Sequence, residues 1–410
     1  YKYMLLDDQI TGAQVCMLLF EQNIIDGTDE EKQAVQSGSK SAYSFMLEKI
    51  ENLDITPAQL ALDPCSGSCV VTDTQTGEVL ALVTYPGYDN NRLTNSIDSD
   101  YYNKIYYDLS QPMWNYATQQ LSAPGSTFKM VSAATALENN VVGLNETITC
   151  KGTWDTLSPP ARCWIAPNGS HGPLDISGAI EHSCNYFFYE VGYRLSRNNG
   201  VYDSDTGLEK LAYYADQFGL SDKSGVEISE SAPKVSDFDA IRSAIGQGTN
   251  NYSTVGLARY VTTVANSGNC YNLSLLSKAT DADGNLIADY TPTLRNTVDL
   301  RQSTWDAIHQ GMRKVVEDKD YYKDLTIQVA GKTGTAQENR KRANHALFVC
   351  YAPYEQPQIA IATRIAFGYA SDYAAQVTKD IVKYYFKLED ESSLITGTAE
   401  STNVVQSAGD

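Results

Sequence analysis

The sequence predicts an α+β fold: one antiparallel sheet assembled from both ends of the main body, with a helical region inserted between its halves. Three observations point there. Two apolar runs around a glycine-containing turn, Cys69–Asp73 and Glu78–Val83, read as a β-hairpin. Three further strand-like runs, Ile327–Gln337, Ala346–Tyr351 and Gln358–Ile365, follow in quick order towards the other end. Between them lie segments of helical period, and an apolar-striped helix, Asp372–Leu388, comes last and would back the sheet.

Taken in order, residues 1–60 form a lead-in, a remnant of a pedestal or linker region. Ile10–Ile25 is amphipathic, Gly27–Glu31 resembles a helix start, Gln36–Lys40 is a polar break, and Ala42–Leu53 is helical again. The main body runs over 61–390, and 391–410 is a polar tail without periodicity, expected to be disordered. After the hairpin, Tyr85–Asp89 is a turn, and the polar, tyrosine-rich sequence to Gln120 is expected to be irregular. Pro124-Gly125 then introduces a helical run, Met130–Leu137. Residues 144–170 read as a surface loop or small hairpin. Helices are expected over Leu174–His182, Tyr186–Arg197 and Leu208–Phe218, and a short strand over Gly225–Ile228. Two more helices, Ser253–Asn266 (stopped by Gly268) and Ser303–Val316, complete the insertion.

Composition narrows the function. The 410 residues carry a net charge of -19, which argues against nucleic acid or an anionic membrane surface as main partner. No apolar run of eighteen or more residues occurs and no signal peptide opens the chain. It begins at Tyr1, as a fragment or processed form would. The eight cysteines are scattered, unlike a disulfide scaffold. Cys65 and Cys69 lack the second pair that a zinc site needs. Cys150 and Cys163 bracket one loop, either as a disulfide or as two buried thiols.

The chemistry concentrates at Ser126 and Lys129. Three apart at a helix start, the two side chains share a face, so an amine sits within reach of a hydroxyl proton. The helix end favours negative charge developing beside it. Two other S-x-x-K pairs occur, Ser37/Lys40 and Ser231/Lys234, one in a polar connector and one with an internal proline. Downstream follow Ser183/Asn185, an S-x-N motif, and Lys332-Thr333-Gly334, a K-T-G motif. These too have decoys in Ser196/Asn198, Ser267/Asn269 and Lys223-Ser224-Gly225, so order and flanks carry the information. Without those flanks, Ser183 and Asn185 between two helices would read as ordinary caps.

The flanks are Asp73–Ala81, Tyr85–Asp89, Ala123–Lys129, Glu181–Tyr189, Ile245–Gly248, Gly331–Gln337 and His345–Pro353. On these, residues 66–390 resemble the transpeptidase domain of class B penicillin-binding proteins. The resemblance implies the penicillin-binding protein/β-lactamase-like fold and a peptidoglycan D,D-transpeptidase that β-lactams acylate. It assigns Ser126 as nucleophile, Lys129 as general base kept neutral by Lys332 and burial, and Ser183 as proton carrier to the leaving amine. Asn185 would hold a substrate amide; Lys332 would supply positive charge. Thr333 and Thr335 would bind the substrate carboxylate, and Gly334 would let the substrate backbone lie close. The backbone N–H groups of Ser126 and Thr335 would form the oxyanion hole.

No cofactor or metal is expected, and this mechanism needs no histidine. A set of His171, Cys163 and Asp155 is the alternative, because some relatives are similar in carrying a metal. Gln247 and Gly248 either line the cleft or shape a helix-start turn. The implied partners are stem peptides, β-lactams and a membrane wall polymerase, with no nucleic acid. The implied location is the extracytoplasmic face of a bacterial membrane, with any anchor outside these residues. The rival readings are a serine β-lactamase and a β-lactam sensor or scaffold. Against the first, Glu230 is followed by Ser231-Ala232-Pro233-Lys234, without the asparagine of a Glu-x-x-x-Asn deacylation loop.

Overall fold

The computed structural model describes residues 4, 7, 9–22, 24–52, 54–55, 66–108, 110–156, 158–338 and 342–395. Its centre is a five-stranded sheet: β1 (Ser66–Asp73), β2 (Val79–Tyr85), β3 (Ala330–Ala336), β4 (His345–Ala352) and β5 (Ile359–Ala366). They are hydrogen-bonded in the order β3–β4–β5–β1–β2, antiparallel throughout. The first hairpin thus pairs with the last strand, Ser66 opposite Ala366 and Asp73 opposite Ile359. Both ends of the main body build the sheet, as the sequence leads one to expect.

The sheet is covered on both faces, which explains why β4 is a continuous apolar run. Alternate residues divide between two cores: Leu347, Val349 and Tyr351 join the larger one under the helical region, and Ala346, Phe348, Cys350 and Ala352 join the smaller one under helix Ser371–Tyr385. At the heart of the larger core runs helix Thr254–Ala265, buried at all twelve positions and capped by Ser253. It is tied to β1 by paired hydroxyls, Ser68 with Thr254 at 2.7 Å and Thr72 with Thr262 at 2.6 Å.

Three expectations change and one is sharpened. Part of the stretch before Gln120 is a helix, Ser99–Tyr107, because Asp98 accepts the Tyr101 N–H at 3.0 Å and caps it. Gly225–Ile228 is not a strand. Gly225 has φ of +105°, and the segment is held by Leu273 N–H to Ser224 O and by the Glu227 carboxylate rather than by a ladder. The 144–170 region forms two small antiparallel pairs, Ile148–Cys150 with Gly172–Leu174 and Thr153–Trp154 with Ala161–Arg162. The tail opens with one helical turn, Glu391–Leu394; residues 396–410 lie outside the described residues, as does Cys65.

In the lead-in, helices Gly12–Glu21, Asp29–Ser37 and Ala42–Glu51 share a small core of Cys16, Phe20, Ile25, Val35, Phe45 and Ile55. Thr11 and Thr28 close reciprocal caps with Gln14 and Glu31. Residues 56–60, the end of that lead-in, lie outside the described residues.

Candidate active site

Ser126 sits in a 3-10 turn, Gly125–Phe128, that runs directly into helix Lys129–Glu138. Gly125 has φ of +53°, and its N–H donates to Gly246 O at 3.1 Å. A Cβ on Gly125 would lie 2.5 Å from Thr335 O, and one on Gly246 would lie 1.9 Å from Gly125 O. Both glycines are therefore required for the serine turn to lie between β3 and the 245–248 turn.

The three motifs converge. Lys129, wholly buried, donates to Ser183 O at 2.8 Å, Ser183 Oγ at 3.1 Å and Asn185 Oδ1 at 2.7 Å. Two of these acceptors are carbonyl oxygens, which only accept. They pin two N–H bonds and leave the third position of Nζ facing hydroxyl chemistry. Ser183 itself has φ of +49°, an uncommon conformation for a serine, so its main-chain oxygen is turned to the lysine at the cost of local strain. Asn185 opens helix Asn185–Leu195.

Lys332, Thr333 and Thr335 lie on β3, at the edge of the sheet. Lys332 is buried and donates to Thr333 O at 3.2 Å and Thr333 Oγ1 at 3.3 Å. An edge strand is free to pair with another extended backbone along its open side. A Cβ on Gly334 would meet Thr127 Cγ2 at 2.7 Å and Pro124 O at 3.0 Å, so the glycine admits the serine turn.

Ser126, Asn185 and Thr335 line a cleft of about 330 Å³ with Tyr189, Arg242 and Gln247 among their neighbours. Lys129, Ser183, Lys332 and Thr333 lie beneath its surface, each 4% exposed or less. Gln247 lines the cleft, whereas Gly248 (φ +71°) packs against the Ser236 and Ser243 hydroxyls. The decoys stand apart: Lys40 pairs with Glu48, Lys234 with Asp237, and Ser231 donates to Gln119 O. Arg242 and Tyr189 went unforeseen. Arg242 lies on a four-residue helix, Ala240–Ser243, with no periodic pattern to mark it.

Directly behind the S-x-N motif lies a second cluster. Cys150, Cys163, His171 and Cys184 bring their donor atoms within 4.8 Å of one another. Cys163 Sγ is 4.0 Å from Cys184 Sγ and 3.6 Å from His171 Nδ1. A tetrahedral zinc site with ordinary bond lengths would set such pairs about 3.8 Å and about 3.6 Å apart. A disulfide would bring sulfurs far closer; Cys150 and Cys163 are free thiols. Hydrogen bonds from Cys184 pull the Cys150 and Cys163 thiols down, while Cys184, the donor, is pushed up. Such readily formed thiolates suit a metal. The set differs from the sequence alternative, for Asp155 is replaced by Cys150 and Cys184.

Two of the other histidines, His309 and His345, make main-chain contacts. His309 Nε2 lies 2.8 Å from Val264 O and donates to it. His345 Nδ1 accepts the Phe367 N–H at 3.0 Å, leaving its other nitrogen to face Glu338.

Comparison with known proteins agrees with this geometry. The model of the penicillin binding protein transpeptidase domain matches residues 67–383. Peptidoglycan D,D-transpeptidase MrdA of Haemophilus influenzae is 30% identical over 362 residues, 79% of this chain and 53% of the relative. The chain thus spans about half the length of the curated relatives it matches. Pseudomonas aeruginosa PBP2, solved in complex with WCK 5153, superposes with a TM-score of 0.68 at 25% identity, covering 84% of this chain and 79% of that one. A chain from a peptidoglycan synthase complex that coordinates polymerization and crosslinking gives 0.70 at 25% identity, covering 80% and 56%.

Proposed function

Because the chain belongs to the class B penicillin-binding protein family, we propose that its cleft crosslinks peptidoglycan stem peptides through a serine acyl-enzyme. The observation that carries this reading is the junction at Lys129 Nζ, which joins the first motif to the second beside Ser126 and Thr335.

Ser126 Oγ attacks the carbonyl between two terminal D-alanines, and its proton passes to Lys129 Nζ. Complete burial favours the neutral amine that can accept it. The new C–O bond forms a tetrahedral oxyanion, held by the N–H groups of Ser126 and Thr335; one such donor contributes about 3 kcal/mol. The C–N bond then breaks, and the leaving D-alanine amine takes a proton from Lys129 through the Ser183 hydroxyl. Lys332 with the Thr333 and Thr335 hydroxyls binds the terminal carboxylate, and Asn185 holds the donor amide. An amine of a second stem attacks the ester and gives its proton to Lys129; the C–Oγ bond breaks and Ser126 Oγ takes that proton back as the hydroxyl. A donor backbone lying along the open edge of β3 would gain strand-like hydrogen bonds.

Cys150, Cys163, His171 and Cys184 would hold a zinc ion. Bound there, it would crosslink the 148–174 hairpin to the strained Ser183–Asn185 segment and take no part in acyl transfer. The likeness to the synthase-complex chain supports a membrane wall polymerase as partner, at the extracytoplasmic face.

A β-lactamase of the class A type would need a carboxylate to hold a deacylating water. Glu230 is spent elsewhere: its oxygens accept from Ser224 N–H, Ser224 Oγ and Ser253 Oγ, and it does not line the cleft. The deciding test is intact mass after brief exposure to benzylpenicillin. A lasting adduct on the parent, absent from Ser126→Ala, is expected. Consumption of the drug without a lasting adduct would favour the β-lactamase, and neither would remove the mechanism.

A further inference from the structure

The chain carries a net charge of -19, yet among the described residues the lining of the cleft includes no carboxylate, and the one charged side chain there is a cation, Arg242. We propose that Arg242 binds a carboxylate on the acyl-donor stem, so that this site prefers stems carrying a free acid over amidated ones. The assignment rests on the transpeptidase reading and names the substrate class for it.

Arg242 is held on a firm wall. Its carbonyl accepts the N–H groups of Ile245 at 3.2 Å and Gln247 at 3.1 Å, and Gly246 O in that turn accepts Gly125 N–H beside the nucleophile. Asp239, at φ +58°, accepts the Arg242 backbone N–H at 3.1 Å and one end of its guanidinium through Nη1. Among the described residues Nε and Nη2 meet no acceptor. These two donors form the side of the guanidinium that matches the two oxygens of a carboxylate. Asp239 anchors the side chain without filling that fork. The carboxylate on the leaving D-alanine is assigned to the hydroxyls of β3, so an acid met by Arg242 belongs to the part of the donor that stays on Ser126. Two sources exist there, the α-carboxylate of a γ-linked D-glutamate and the free carboxylate of a diaminopimelate. Partial neutralisation by Asp239 and half-exposure of Arg242 place the preference at about tenfold in kcat/KM.

The test uses the full chain and soluble pentapeptides ending in D-Ala-D-Ala, read by D-alanine release. One pair has lysine third and differs only in acid or amide at the glutamate. The other has glutamine-type amide second and differs only in acid or amide at the diaminopimelate. The parent should favour the acid about tenfold in one pair, which identifies the source. Arg242→Gln should bring that ratio to near one, and Arg242→Lys should leave it between. Asp239→Asn, which suits the left-handed backbone, should raise the ratio. Benzylpenicillin adduct formation reports that each variant is folded. Equal ratios in parent and Arg242→Gln, or no rise in Asp239→Asn, would overturn the assignment and leave the transpeptidase reading standing. A parent that benzylpenicillin cannot acylate would remove both.

Discussion

One tripeptide, Ser183-Cys184-Asn185, serves two neighbourhoods of opposite kind. Its outer residues face Lys129 and the cleft, while its middle residue joins three other soft donors behind. The front is proton chemistry among buried hydroxyl, amide and amine groups. The back is a closed set of thiols and one imidazole, with no reacting position left open. The strained backbone of Ser183 belongs to both. On the proposed zinc reading the back lends the front its rigidity, so the two should fail differently when either is damaged.

The largest effect separates them most sharply. Lys129→Ala should slow benzylpenicillin acylation by about a thousandfold, in stopped-flow or timed mass measurements, while leaving metal content unchanged. Cys163→Ser should do the converse. Its zinc, measured by elemental analysis, should fall from about one equivalent to near zero, the melting temperature should drop, and acylation should slow about tenfold as Ser183 loses its support. If Cys163→Ser slows acylation as much as Lys129→Ala does, the two faces are not separable in this way.

Gly334→Ala tests whether the first and third motifs are locked by packing. The added methyl meets Thr127 and Pro124, so urea unfolding should register a loss of about 1–3 kcal/mol. A neutral result would mean that the serine turn shifts freely, and that the front is less rigid than the back.

The smallest effect comes from the segment that follows β3. The His345 ring beside Glu338 holds that carboxyl below its ordinary value, against burial, with Arg364 and Arg342 adding to the effect. A depressed carboxylate stabilises the fold above its unfolded pKa, and that stability is lost as pH falls through the folded value. Glu338 is 39% exposed, and His345 Nε2 at 3.0 Å is close but poorly aligned. Glu338→Gln should therefore cost less than about 1 kcal/mol at pH 7. The difference from the parent should vanish in urea melts carried out below the usual carboxylate range. A constant difference at all pH values would assign the contact to packing.

How much was legible depended on distance along the chain. The hairpin, the three late strands and helix Thr254–Ala265 were readable because local pattern and caps act within a few residues: Gly77 in the turn, Ser253 at the cap, the continuous apolar run of β4. Ser126 and Lys129 were readable because helix geometry alone sets them on one face. Their link to Ser183 and Asn185 came through resemblance, and the structure brings the three motifs into contact. Helix Ser99–Tyr107 was missed because its tyrosines and single buried Ile105 give a weak apolar stripe, so the Asp98 cap carries it.

By itself, then, the sequence determined the α+β plan, a K-T-G strand built late in the chain, and the residue types of the proposed acyl-transfer site. Tertiary structure alone decided what converges from afar. Cys150, Cys163, His171 and Cys184 come from a strand end, the 163–171 loop and a helix start, and no local period relates them. Gly334 turned out to admit Thr127, and Arg242 entered the cleft from a helix of four residues. The physical reason is the same in each case. Propensity and spacing act through the nearest turns of chain, whereas a donor set, a close approach or a charged wall exists only once the burial of two large cores has closed the loops between them.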